Sequence, residues 1–156
     1  MMEKVKKRLG EILIEDGILT REDLQEALEN QKKDGGMIGQ ILVRLGFISE
    51  ENLIAALGKQ LNMPYMPLMN YAINTQTVQL LNEKFSRNHM VIAFDQDEQR
   101  VFLAMADPFD SNAVSEVEKQ LNLKPHVYLS TPTEIINMLD MAYSMSGPNK
   151  ELKKAG

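Results

Sequence analysis

An internal repeat near the start of the chain constrains the fold more than any other feature. Residues 8–31 align with residues 37–60 at an offset of 29. Nine of the 24 aligned pairs are identical: Gly10/Gly39, Ile12/Ile41, Leu13/Leu42, Gly17/Gly46, Glu22/Glu51, Leu24/Leu53, Ala27/Ala56, Leu28/Leu57 and Gln31/Gln60. Only Lys32–Gly36 separates the copies. Repetition on this scale makes each copy one supersecondary unit. In the first, Leu9, Ile12 and Leu13 recur at helical spacing. Gly17 fits the left-handed residue that ends a helix. Thr20 is a candidate N-cap for the next helix, with Glu22 in its first turn. Leu24, Ala27, Leu28 and Gln31 then fall on one face. The second copy repeats the pattern with Gly46, Ser49, Leu53, Ala56, Leu57 and Gln60.

Two details exceed simple packing. Gly10 and Gly39 lie inside helical patterns, where glycine costs about 1 kcal/mol relative to alanine. A glycine there permits close approach, by another helix or by a ligand. Gln31 and Gln60 end apolar stripes, so each amide either reaches solvent or serves a polar partner.

The remainder of the chain reads differently. Pro64 and Pro67 stop helical structure, which puts a boundary near Asn62. Met63, Met66 and Met69 read as buried filler. Thr75–Phe85 predicts one short helix through Val78, Leu81 and Phe85. Met90–Phe94 and Arg100–Ala106 predict a hairpin around Asp95–Gln99. Asn112–Asn122 is a helix and Pro125–Ser130 a third strand. Thr131-Pro132-Thr133-Glu134 resembles a capping box that opens a last helix through Ile135, Ile136, Leu139 and Tyr143. The expected fold is α+β. A helical subdomain of two tandem helix-turn-helix repeats (1–62) precedes a small mixed sheet packed with helices (63–144), then a polar tail or linker (145–156).

Chemistry is conspicuous by its absence. There is no cysteine, so no disulfide and no thiolate metal site. His89 and His126 lie far apart and have no ligand pattern beside them. Asp95, Asp97 and Glu98 mimic a calcium loop but lack its glycine and closing glutamate, which leaves a solvated turn. Neither a P-loop nor a G-x-S-x-G motif occurs. The sequence offers no catalytic constellation, so an enzyme is not expected, nor a metal or cofactor. A net charge of −5 argues against a nucleic-acid partner. No apolar run approaches the roughly 20 residues that cross a bilayer, and the N-terminus lacks an apolar signal core. The expectation is a soluble cytoplasmic protein without direct membrane insertion.

The pattern Arg8-Leu9-Gly10-x-x-Leu13-x-x-x-Gly17-x₆-Leu24-x-x-x-Leu28-x-x-Gln31 resembles the first of the tandem 24-residue motifs of the MshEN-type domain. That domain is the N-terminal part of assembly ATPases from type II secretion and type IV pilus systems. The second copy, Met37 to Gln60, and the five-residue spacer match as well. The later half, with Ala104-Met105-Ala106-Asp107-Pro108 and a helix ending in Ala142-Tyr143, is similar to the family's companion subdomain. The resemblance spans roughly Lys6 to Ser144.

The resemblance implies a receptor module for cyclic di-GMP, a two-fold symmetric dinucleotide, and a protein partner in a secretion, pilus or signalling system. Its implied site residues are Arg8, Leu9, Gly10, Leu13, Gly17, Leu28, Gln31, Ile38, Gly39, Leu42, Leu57, Gln60 and Asp107. Arg8 would stack on a guanine or reach a phosphate. Gly10 and Gly39 would let the ligand ride close to the backbone. Leu9, Leu13, Leu28, Ile38, Leu42 and Leu57 would form apolar walls, and Gln31 and Gln60 would supply amide donors and acceptors. Asp107 would receive guanine donors; Asp-Pro at a strand end is equally an ordinary turn. One position departs from the pattern: Met37 stands where Arg8 stands in the first copy, which leaves Arg44 and Lys32 as candidate compensating cations. The competing implication is a nucleotide-free docking domain of the same systems. On either reading the ATPase core is absent, so the chain would be stand-alone or an excised N-terminal domain.

Overall fold

Each copy of the repeat forms a seven-residue helix, a tight turn and a longer helix. In the computed structural model, which describes residues 8–145, these are α1 (Leu9–Glu15), α2 (Arg21–Asp34), α3 (Ile38–Arg44) and α4 (Glu50–Leu61). The turns match bond for bond. Gly17 and Gly46 take φ +75° and +82°, a backbone that favours glycine. The Ile18 N–H donates to the Leu13 carbonyl and the Phe47 N–H to the Leu42 carbonyl, both at 3.0 Å. These bonds satisfy carbonyls that each short helix leaves open at its end. Thr20 Oγ1 then accepts from the Asp23 N–H at 3.1 Å, and Ser49 Oγ from the Asn52 N–H at 2.9 Å. Part of the five-residue spacer is helical: α2 continues to Asp34, and only Gly35, Gly36 and Met37 lie between it and α3.

The chain divides into two units, Met1–Met63 and Pro64–Gly156. Within the first, α1 packs chiefly on α4 and α2 on α3. The first helix of each copy therefore leans on the second helix of the other. The buried side chains come in repeat pairs: Ile12 with Ile41, Leu13 with Leu42, Leu19 with Ile48, and Ala27 with Ala56. Neither copy encloses a core alone, as expected of repeat units that bury their apolar faces on one another.

The second unit is a three-stranded mixed sheet between helices. The strands are β1 (Val91–Gln96), β2 (Arg100–Met105) and β3 (Lys124–Leu129). β1 pairs antiparallel with β2, and β2 pairs parallel with β3. Pro125 is tolerated because β3 is an edge strand. Two short helices, α5 (Thr75–Val78) and α6 (Glu83–His89), precede the sheet. Val91, Ala93, Val101, Leu103 and Met105 face one way, in a cluster with Ala113 and Val117 of α7 (Ser111–Leu121). Ile92 and Ala104 face the other, against Ile135, Met138, Leu139 and Ala142 of α8 (Pro132–Met145). At the start of α8 the Glu134 N–H donates to Thr131 Oγ1, as the capping pattern required.

Two expectations in this unit need correction. The single helix expected over Thr75–Phe85 is divided between α5 and α6. Asn82 interrupts it: its side chain accepts from the Lys84 and Phe85 N–H groups at 2.9 and 3.2 Å and so starts a new helix. Met69, read as filler, is 48% exposed on a 3-10 turn (Leu68–Asn70), whereas Met66 does pack against the α8 cluster. The expected tail lies outside the described residues, apart from Met145, which closes α8. Among the described residues, no helix is long and apolar enough to cross a membrane.

Candidate binding site

Arg8 and Met37 are the N-caps of α1 and α3, in closely similar backbone conformations (φ −74°, ψ 155° and φ −87°, ψ 135°). Neither side chain makes a capping hydrogen bond. The Arg8 backbone N–H is instead taken by Glu11 Oε1 at 3.0 Å, which leaves the guanidinium outside the cap. Both residues are exposed.

The two helix starts meet. A Cβ built on Gly39 lies 3.2 Å from Leu9 Cδ2 and 2.5 Å from Leu53 Cδ1. At Gly10 the corresponding Cβ meets Leu24 Cδ2 at 2.8 Å. Each glycine thus admits a leucine from the second helix of its own copy, and Gly39 also touches the first residue of α1. The space that a Cβ would fill holds leucine, so Gly10 and Gly39, both buried, set the distance between helices.

Gln31 is also placed. Its Nε2 donates to the Gly36 carbonyl at 2.9 Å, which ties the last turns of α2 to the residue before Met37. Gly35 (φ +74°) and Gly36 (φ +102°) make this turn possible. The structure therefore gathers Arg8, Leu9, Gln31, Met37, Ile38 and Gly39 at one end of the first unit. The part of Gly36 was not drawn from the sequence; the Gly35-Gly36 pair just ahead of a repeated motif was the signal for it.

Other expected site residues are used differently. Leu13 and Leu42 have no exposed surface and belong to the core, as do Leu9 and Leu57, which are 7% and 6% exposed. Leu13 and Leu42, expected as apolar walls, are core instead, since burial leaves them no face for a ligand, while Leu9 and Leu57 keep a small exposed edge. Gly17 is a turn glycine with no neighbour near its missing Cβ, a structural role. Leu28, Ile38 and Gln60 are half-buried and keep accessible surface. Asp107 belongs to the second unit. Its Oδ1 accepts from the Phe109 N–H at 3.0 Å, the arrangement of an ordinary turn.

Charge elsewhere is structural. His89 Nδ1 lies 2.7 Å from Asp110 Oδ2, while Asp110 Oδ1 caps α7 through the Ala113 N–H at 3.1 Å. Burial pushes the Asp110 carboxyl up, but the bonds from His89 and Ala113 outweigh it and hold the pKa below the ordinary value. Asp97 organises the β1–β2 turn: its carboxylate accepts from the Gln99 and Arg100 N–H groups and pairs with the Arg100 guanidinium at 2.6 Å. The Arg100 side chain and these N–H groups lower its pKa to about 2. Among the described residues, no group of three or more His, Asp or Glu could hold a metal ion.

Comparison with known proteins converges on one family. The profile described as MshEN domain matches residues 61–149. The type IV pilus assembly ATPase PilB of Myxococcus xanthus is 26% identical over 144 residues, 92% of this chain and 25% of PilB. PilB of Thermus thermophilus is 30% identical over 143 residues, 90% of this chain and 16% of that protein. The chain thus spans a quarter or less of the relatives' own lengths. Among solved structures, MshE with cdg superposes with a TM-score of 0.75 at 30% identity, covering 88% of this chain and 99% of that one. The N-terminal domain of XpsE shares the fold, with a TM-score of 0.72 at 23% identity over 90% of this chain and 97% of its own.

Proposed function

Because the chain belongs to the MshEN domain family, we propose that it is a cyclic di-GMP receptor module of a pilus or secretion system, acting by binding and not by catalysis. The supporting observation is the likeness to MshE, solved with cdg, which we read as cyclic di-GMP, at 30% identity over almost all of that chain. The exposed end of the first unit suits such a ligand. Arg8 offers a planar fork for a phosphate or a guanine edge. Leu28 and Ile38 offer apolar surface, and Gln31 and Gln60 offer amides. The PilB relatives support a protein partner of the same kind in this proposal: a pilus assembly ATPase, or a component that contacts one, in the cytoplasm. Ligand binding would relay a signal only by favouring one conformation, or one docked state, over another.

Calorimetric titration tests the reading, with cyclic di-GMP as ligand and cyclic di-AMP and GTP as controls. Selective, saturable heat with cyclic di-GMP is expected. Arg8→Ala should weaken it with little change in Tm, since the Arg8 side chain makes no capping bond. Absence of heat and of a thermal shift with ligand in large excess would overturn it. One observation favours a second reading, a nucleotide-free docking module: Met37 puts an exposed apolar side chain where the first copy has its cation.

A further inference from the structure

Where the first unit passes into the second, the chain is fastened on both sides of one residue. From this we propose that Met63 is the hinge between the two units and that a Tyr65–Glu134 hydrogen bond keeps that hinge short. The inference holds whichever ligand the first unit takes. On the α4 side, Asn62 adopts a left-handed conformation (φ 55°, ψ 47°), and the Met63 N–H donates to the Gly58 carbonyl at 3.1 Å, which closes the helix. On the other side the chain joins the outer edge of β3, where Tyr65 pairs with Leu129 as a single parallel bridge. The Leu129 N–H donates to the Pro64 carbonyl at 2.8 Å, and the Met66 N–H donates to the Leu129 carbonyl at 2.7 Å. Ser130, fully buried, donates its hydroxyl to the Met66 carbonyl at 2.9 Å. Between these fastenings lie φ and ψ of Met63 and ψ of Pro64, because the proline ring fixes its own φ. Proline also holds the residue before it to extended conformations, which narrows the range of Met63. Hinges are commonly a few element-terminal residues that absorb the change in φ and ψ, and Met63 stands at such an end. The strap from Pro64 to Met66 is held to β3 by backbone bonds that all fall on Leu129. Tyr65 adds the side-chain fastening: its hydroxyl donates to Glu134 Oε1 at 2.7 Å, and the same oxygen accepts from Thr131 Oγ1 at 3.1 Å at the start of α8. Without that bond the strap lifts more readily and the joint lengthens toward Pro67.

Two measurements on the full chain test this. The first is residue-resolved amide hydrogen exchange on the wild type, Tyr65→Phe and Glu134→Gln, with melting curves to confirm folding. A hydrogen bond to a charged group is worth about tenfold or more in a local opening equilibrium. Tyr65→Phe is therefore expected to speed exchange of the Met66 and Leu129 amides about tenfold. The Ser130 amide, which donates to the Met105 carbonyl of β2 at 3.0 Å, should be unchanged. Glu134→Gln keeps an acceptor and loses the charge, so it should fall between the two. The second measurement is a distance distribution between nitroxide labels on Lys33→Cys in α2 and Lys119→Cys in α7, both exposed positions of a chain that has no cysteine of its own. The distribution should broaden in Tyr65→Phe, and broaden further with a Gly-Gly insertion after Met63. Unchanged exchange at Met66 and Leu129 in both substitutions overturns the role of Tyr65. An equal rise at Ser130 overturns it too, since β3 itself has then loosened. A wild-type distribution as broad as that of the insertion overturns the hinge, as does an insertion that leaves the distribution as narrow as the wild type. Each of these results is read without ligand, so the receptor reading stands or falls separately by titration.

Discussion

The two units stabilise themselves in different ways. The first is made of two copies of one motif, and three of its devices appear twice: a glycine-ended short helix, a hydroxyl N-cap, a small residue at a helix crossing. The second has no repeat and three strands, and its turns and helix starts are set individually, as by the Asp97 turn or the Asn82 break. The comparison teaches that repetition makes local structure readable but hides differences between copies. Arg8 and Met37 are the same position structurally and opposite in chemistry.

The largest expected effects test the equivalence of the copies. Leu13→Ala and Leu42→Ala each empty a fully buried site and should cost about 3–5 kcal/mol. Urea unfolding should give nearly equal losses; a strongly unequal pair would break the equivalence. Leu103→Ala, fully buried between the sheet and α7, should cost a similar amount in the second unit. Overpacking comes next. Gly39→Ala should destabilise by about 1–3 kcal/mol, and by more than Gly10→Ala. At Gly39 two leucines from different helices press on the new methyl group, and at Gly10 only Leu24 does. Thermal melts that rank these two the other way would refute the packing described here. Asn82→Ala should lose about 1 kcal/mol of cap energy, read in a urea melt, and weaken the start of α6. The smallest effect is in pH. The lowered pKa of Asp97 means that its contribution is full above the ordinary carboxylate value of about 4 and fades as pH falls toward about 2. Asp97→Asn should flatten that part of the acid stability curve, with a small loss of stability at neutral pH and almost none near pH 2. An unaltered acid profile would show that the turn carries no such linkage.

Parts of the fold were legible because they depend on neighbours in sequence. Gly17 and Gly46 had to take positive φ, and Thr20 and Ser49 had to cap, since each acts on groups a few residues away. The hairpin and the Thr131 cap were readable for the same reason. The Asn82 break was missed because the apolar spacing of Val78, Leu81 and Phe85 is compatible with one helix, and only the competition of the Asn82 amide for backbone N–H groups divides it. The candidate site was half legible. Arg8 and Gln31 were readable as outward polar groups on repeat positions. Leu13 and Leu42 were taken as ligand walls, because an apolar residue in a motif looks the same whether it faces a ligand or the core.

What the sequence determined alone was the local grammar: two copies, their turns and caps, and the change from helical to alternating pattern after Asn62. That information resides in short-range hydrogen bonds and in periodicity. What tertiary structure decided was which helix faces which. The exchange that puts α1 on α4 and α2 on α3, the leucines filling the faces of Gly10 and Gly39, and the placing of Arg8 and Met37 at one end all arise from burial between segments far apart in sequence. Burial is non-directional and specifies no partner by itself, so the partners are selected only when the whole unit closes.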